Sequence, residues 1–177
     1  MFKRLEEIIK NIDGNVLVIG LDDNLLSKFD KNNKVNLYSI SSKKSENIFG
    51  KSKIKIANKG KKINIKRLRK YINKKSTKYI ICNMDEMKDY YKYFIRDSIY
   101  LNNNTIYIYS TKDIDKEFII SKYKRYNVKI ECIEYKSGYI ITIDNAKGKN
   151  NFIKDKIYFI KDTFYNIAEL IGNILIS

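Results

Sequence analysis

Apolar positions along this chain recur with two different periods, and the switches between them mark out its elements. Leu5, Ile8, Ile9 and Ile12 fall at helical spacing, and Asp13-Gly14-Asn15 supplies a stop. The run Val16-Leu17-Val18-Ile19 then ends at Gly20, as a strand buried on both faces does in a parallel sheet. Asp22 or Asp23 can cap a short helix carrying Leu25, Leu26 and Phe29. Val35 to Ile40 is expected to be a second strand, and Lys53-Ile54-Lys55-Ile56 a half-exposed one. Ile65, Leu68 and Ile72 mark one face of a helix whose other faces are basic.

The alternation continues through the second half. Tyr79 to Cys82 is expected to be a buried strand, ending in Asn83-Met84-Asp85-Glu86. The following helix would use Met87, Tyr91, Phe94, Ile95 and Ile99. Thr105 to Tyr109 is a further strand, and Ser110 or Thr111 can cap a helix bearing Ile114, Phe118, Ile119 and Tyr123. Val128–Tyr135 and Tyr139–Ile143 are joined by Lys136-Ser137-Gly138, a link short enough only for an antiparallel hairpin. A last helix carries Ile157, Ile160, Phe164, Ile167, Ile171 and Ile174, with Leu170 and Leu175 beside this stripe. Two readings of that helix stay open: burial within the domain, or pairing with a second copy as a homodimer.

Strands alternating with helices predict an α/β fold, a Rossmann-like three-layer sandwich. Its sheet is mostly parallel, with a C-terminal antiparallel hairpin and a final helix. With no repeat and no linker, residues 1–177 are expected to form one domain. Charged residues up to Asn15 leave no room for a signal peptide, and Lys161, Asp162 and Glu169 break the most apolar stretch. Cys82 and Cys132 have neither disulfide nor metal-ligand spacing, so both are expected to be reduced and buried, in the cytoplasm. The absence of histidine excludes imidazole-based catalysis and the common zinc sites.

Charge changes the picture more than composition does. Residues 43–78 hold 15 Lys and Arg against one acid, Glu46, for a net of +14. The other 141 residues carry 21 basic and 19 acidic groups. An AT-rich coding bias would inflate lysine, but it does not segregate acids from bases. Such a segment is relieved of self-repulsion by a polyanion. The candidate nucleic-acid contacts are Lys53, Lys55, Lys61, Lys62, Lys66, Arg67, Arg69, Lys70 and Lys74. Tyr71, Tyr79, Tyr90, Tyr91 and Tyr93 could stack on unpaired bases, although half-buried packing is the commoner role of tyrosine. Glu131 and Glu134 differ by three along a strand and so face opposite sides, which excludes a catalytic pair.

The order of elements, a parallel alternating sheet closed by an antiparallel hairpin, resembles the class I S-adenosylmethionine-dependent methyltransferase fold. In that family a glycine-rich turn after the first strand lets backbone approach the cofactor closely. Here Gly20 matches, followed by Leu21-Asp22-Asp23-Asn24. The resemblance therefore implies S-adenosylmethionine as the cofactor, with Gly20 and Asp22 as candidate contacts. The family's ribose-binding acid after the second strand has no counterpart in Leu37-Tyr38-Ser39-Ile40-Ser41. Asn83 matches the first position of the Asn/Asp-Pro-Pro-aromatic motif of amino-group methyltransferases, and it is the candidate catalytic residue. Met84-Asp85-Glu86 replaces the rest. Asp22-Asp23 is also similar to the acidic pair of receiver domains, but the hairpin does not belong to that fold.

Three functions follow as expectations. One is a methyltransferase-like domain with a degenerate cofactor site that binds nucleic acid through its basic face. Another is an active methyltransferase on nucleic acid, and the last a structural or partner-binding protein.

Overall fold

A computed structural model describes residues 1–29, 34–41, 53–56, 77–87, 91–112, 116–126, 128–144 and 164, and every structural statement concerns these. Two compact units divide the chain, Met1–Lys147 and Gly148–Ser177. The expected last helix falls in the second unit and, apart from Phe164, lies outside the described residues. So does the helix expected around Ile65 to Ile72.

Helix α1 (Phe2–Asn11) buries the predicted stripe of Leu5, Ile8 and Ile9. Strand β1 (Gly14–Ile19) follows, with Val16, Leu17, Val18 and Ile19 buried, as a strand covered on both faces requires. Helix α2 (Asp23–Ser27) leads to β2 (Val35–Ser41) and β3 (Lys53–Ile56). After β4 (Thr77–Asn83) comes a 3-10 turn at Met84–Glu86, then α3 (Tyr91–Leu101) and β5 (Asn102–Ser110). Helix α4 (Lys116–Lys124) and the hairpin β6 (Lys129–Tyr135) and β7 (Gly138–Asp144) complete the unit.

The seven strands form one sheet in the order β3-β2-β1-β4-β5-β7-β6. Strands β1 to β5 pair in parallel, while β7 runs antiparallel to both β5 and β6. This is the predicted Rossmann-like arrangement with its terminal hairpin. Alternation along the strands sorts the core into two layers. Val16, Val18, Leu37, Ile81, Tyr109 and Ile140 pack with α1 and α2 on one face. The opposite set includes Leu17, Ile19, Ile80, Cys82, Ile106, Ile108, Ile141 and Ile143, all fully buried. Helices α3 and α4 contact β5 and β6, and the Ser98 and Tyr123 hydroxyls join the two helices at 2.7 Å.

Several boundaries differ from the sequence pattern. Strand β4 begins at Thr77 and β5 at Asn102, both ahead of the apolar runs. Buried side-chain hydrogen bonds explain the extension. Thr77 Oγ1 donates to Leu101 O at 3.0 Å, and Asn102 Nδ2 donates to Lys78 O at 2.9 Å and to Thr105 O at 3.1 Å. A buried polar side chain with backbone partners can continue a strand that hydrophobicity alone would end. Met87 is buried but ends the 3-10 turn instead of starting α3. Cys132 is half-buried on the edge strand β6, where complete burial was expected; Cys82 is buried, and both are free thiols. Tyr79 stacks on Tyr107, with centroids 6.5 Å apart and planes 18° from parallel, which is the packing role. The aromatic side chains of Tyr71, Tyr90, Tyr91 and Tyr93 lie outside the described residues.

Candidate functional site

In an open α/β sheet, ligands bind outside the carboxyl ends of the strands, where the strand order reverses. Here the reversal lies between β1 and β4, so Gly20 and Asn83 stand on its two sides. Gly20 has φ +69°, and its N–H donates to Ile40 O at 2.9 Å, so the chain turns sharply as β1 ends. Leu21 is then buried in the core. Asp22 caps α2 through a hydrogen bond from Leu25 N to Oδ1, at 2.8 Å. That is the plainer of the two roles the sequence left for it.

Asn83 uses both ends of its amide. Its Nδ2 donates to Gly20 O at 3.2 Å, across the gap between β1 and β4. Its Oδ1 accepts from Asp85 N at 3.0 Å, capping the 3-10 turn. The structure thus brings two sequence-predicted site residues, Gly20 and Asn83, into direct contact. Asp22 lies one turn further along the same connection. At the end of β2, Ser39 and Ile40 are buried, and Leu37 to Ser41 include no carboxylate.

Asp85 was visible in the sequence only as a neighbour of Asn83, yet it organises the other side of the crevice. Its carboxylate accepts from the hydroxyls of Ser110 and Thr111, and from Thr111 N at 2.8 Å. The sequence pattern offers these two residues as caps for the next helix. That helix starts only at Lys116, and their hydroxyls turn to Asp85 instead. Partial burial pushes the Asp85 carboxyl up, but the Ser110 and Thr111 donors and the nearby Lys112 outweigh it. Its pKa is held below the ordinary carboxylate value. An acid just after one central strand and a hydroxyl pair ending the next was the available signal.

Asp85→Asn keeps the shape and turns one acceptor oxygen into a donor. We expect a cost of about 1–2 kcal/mol at neutral pH. Because the folded pKa is depressed, the stabilisation is present above the unfolded carboxylate value and lost as pH falls through the folded one. Denaturant titrations of both proteins should therefore converge towards acid pH. A gap that does not change with pH would assign the effect to shape instead of charge.

Tyr109 lies next to Asn83 in register and is buried, with the exposed Phe2 ring edge-on to it at 6.4 Å and 75°. Burial raises its phenol, and Asp22, Asp85 and Glu86 add to the effect, so it stays protonated. Burial likewise pushes the Cys82 thiol up, which removes it as a nucleophile. Among the described residues no group of three or more Cys, Asp or Glu could hold a metal ion.

The basic segment leaves β2 at Ser41, forms the edge strand β3 and rejoins the sheet centre at Thr77. Lys53 and Lys55 lie on β3; Lys61, Lys62, Lys66, Arg67, Arg69, Lys70 and Lys74 lie outside the described residues. Lys78, the last cation of the segment, is paired with Asp13, which lowers the Asp13 pKa and raises that of Lys78. Elsewhere, cations of the body meet carboxylates of the body. Arg4 pairs with Glu7 at 3.2 Å, Lys28 with Glu6 at 3.1 Å, Arg96 with Asp97 at 3.1 Å, and Lys116 with Glu134.

No family model matches this sequence, and no curated protein sequence does. Solved structures match its shape. A TehB-like S-adenosylmethionine-dependent methyltransferase from Corynebacterium glutamicum superposes with a TM-score of 0.59 at 8% identity, over 80% of this chain and 84% of that one. A protein assigned as a ribosomal RNA methyltransferase from Plasmodium falciparum gives 0.55 at 15% identity, over 81% and 93%. EvdMO1 gives 0.55 at 9% identity, over 80% of this chain but only 40% of its own length. The chain therefore has the class I methyltransferase-like Rossmann fold. Among the described residues no helix is long and apolar enough to cross a membrane.

Proposed function

We propose that this chain is a methyltransferase-like domain that binds RNA or DNA through residues 43–78 and whose cofactor site has degenerated. The observation that carries the reading is the segregation of charge, a net of +14 in 36 residues. Within the body, Arg4, Lys28, Arg96 and Lys116 are matched by the body's own carboxylates, and of the segment Lys78 is taken up by Asp13, so the reading rests on the other cations of residues 43–78. Lys53 and Lys55 would contribute from the edge strand, with Lys61, Lys62, Lys66, Arg67, Arg69, Lys70 and Lys74 beyond it. Neighbours assigned as RNA methyltransferases agree with a polynucleotide partner, and a cytoplasmic location belongs to the same proposal. Fluorescence anisotropy of short RNA and DNA against salt tests it, because counterion release makes such binding steeply salt-dependent. A flat salt response, or capture only by anionic vesicles, rejects it in favour of a partner-binding or membrane-surface role.

The positive φ of Gly20 at the end of β1 favours a second reading, an active S-adenosylmethionine-dependent methyltransferase on nucleic acid. When bound, the cofactor would supply an electrophilic methyl group. Asp22 and the Gly20 turn would hold it and Asn83 would face the substrate. The present contacts do not fit that arrangement. Gly20 O and both ends of the Asn83 amide have partners within the chain, and the end of β2 offers no carboxylate for a ribose. Calorimetry with the cofactor and its demethylated product separates the readings. Saturable heat abolished by Gly20→Val would establish the enzyme.

A further inference from the structure

We propose that Asn83 and Asp85 form an internal latch that ties the carboxyl ends of β1, β4 and β5 together and closes the crevice against a ligand. The proposal builds on the degenerate-site reading and names the residues that bring it about. Gly20 turns the chain with φ +69°, and the group that meets its carbonyl oxygen is the chain's own Asn83 amide, at 3.2 Å. The same amide holds Asp85 N at 3.0 Å, so it cannot swing aside without freeing groups at both ends. Asp85 in turn grips Ser110 and Thr111. The contacts run in series from Gly20 through Asn83 and Asp85 to the end of β5. Their order is that of three neighbouring strands in the sheet.

A latch in series behaves differently from separate hydrogen bonds. A ligand that takes the position Asn83 Nδ2 now holds against Gly20 O must break that bond and leave partly buried polar groups without partners, an affinity loss of about tenfold or more. Breaking either link also loosens the other, because Asp85 contributes its N–H to one link and its carboxylate to the other. Residues that share a network in this way give non-additive mutational effects. The named polar groups at these strand ends are thus partnered within the chain. Leu21 and Asp22, which follow the glycine, are committed to the core and to the α2 cap.

The test uses the full chain and its Asn83→Ala, Asp85→Asn and double variants. Each single change should lower the thermal midpoint by about 3–8 °C, and the double change by little more than the larger single one. If Asn83→Ala does not fold, Asn83→Asp removes the donor to Gly20 and keeps the acceptor for Asp85 N, and the same cycle is run on it. In NMR spectra of the native protein, millimolar S-adenosylhomocysteine should leave the Asn83 side-chain amide and Gly20 backbone resonances in place. Additive losses, or saturable shifts of those resonances, would overturn the latch. Polyanion binding by the same variants should match the native chain. A failed latch with salt-dependent binding intact would leave the nucleic-acid reading standing, and the reverse outcome would remove that reading alone.

Discussion

Affinity for a short RNA or DNA is expected to fall about a thousandfold between roughly 50 and 200 mM salt. The segment 43–78 offers nine candidate contacts, Lys53, Lys55, Lys61, Lys62, Lys66, Arg67, Arg69, Lys70 and Lys74. If about 5–8 of them meet phosphates, the slope of log affinity against log salt is about −4.5 to −7 on duplex DNA and shallower on single strands. Neutralising one contacting residue, for example Arg67→Gln, should reduce the slope by about 1. Lys28→Gln and Lys116→Gln serve as controls. Both remove a positive charge, but each is already matched by Glu6 or Glu134, so the slope should not change. Equal effects from segment and control residues would mean that net charge, not a defined surface, drives binding.

Gly138→Ala is expected to cost about 3–5 kcal/mol, a large loss for the addition of one methyl group. Gly138 opens β7 directly after the Lys136-Ser137 turn, with φ +127°. A Cβ there would lie 2.0 Å from Ser110 O and 2.9 Å from Thr111 Cα. Both are backbone atoms in the stretch that Asp85 holds, so no flexible side chain can move away. The left-handed backbone adds its own strain for any residue with a Cβ. Such a loss is a large part of the total stability of an ordinary domain. Urea titration measures it directly. An unfolding free energy within about 1 kcal/mol of the native value would mean that the hairpin shifts freely relative to β5, contrary to the close approach described.

The periods of the sequence located most elements because burial on two faces leaves a continuous apolar run. Val16 to Ile19 and the strand expected at Tyr79 to Cys82 are read correctly for that reason, and the β6–β7 hairpin because its link is too short for anything else. The reading fails where polar side chains extend or end an element. Thr77 and Asn102 lengthen strands through buried hydrogen bonds, and Met87 is buried without belonging to a helix. Such contacts join residues about 25 positions apart, and no local pattern encodes them. Within the site, Gly20 and Asn83 were legible because strand ends are recognisable. Asp85 was not, since its partners Ser110 and Thr111 come from another strand and are by themselves ordinary capping residues.

By itself the sequence determined the α/β alternation, the closing hairpin and the segregation of positive charge, all of which follow from composition over short windows. Only the tertiary structure decided the order of strands, and with it which residues face one another across the crevice. Strand pairing joins distant segments through backbone groups that every residue shares, so the side chains do not announce it. That pairing set Asn83 against Gly20 and Asp85 against Thr111, and it made polar residues at three separate strand ends into one connected group.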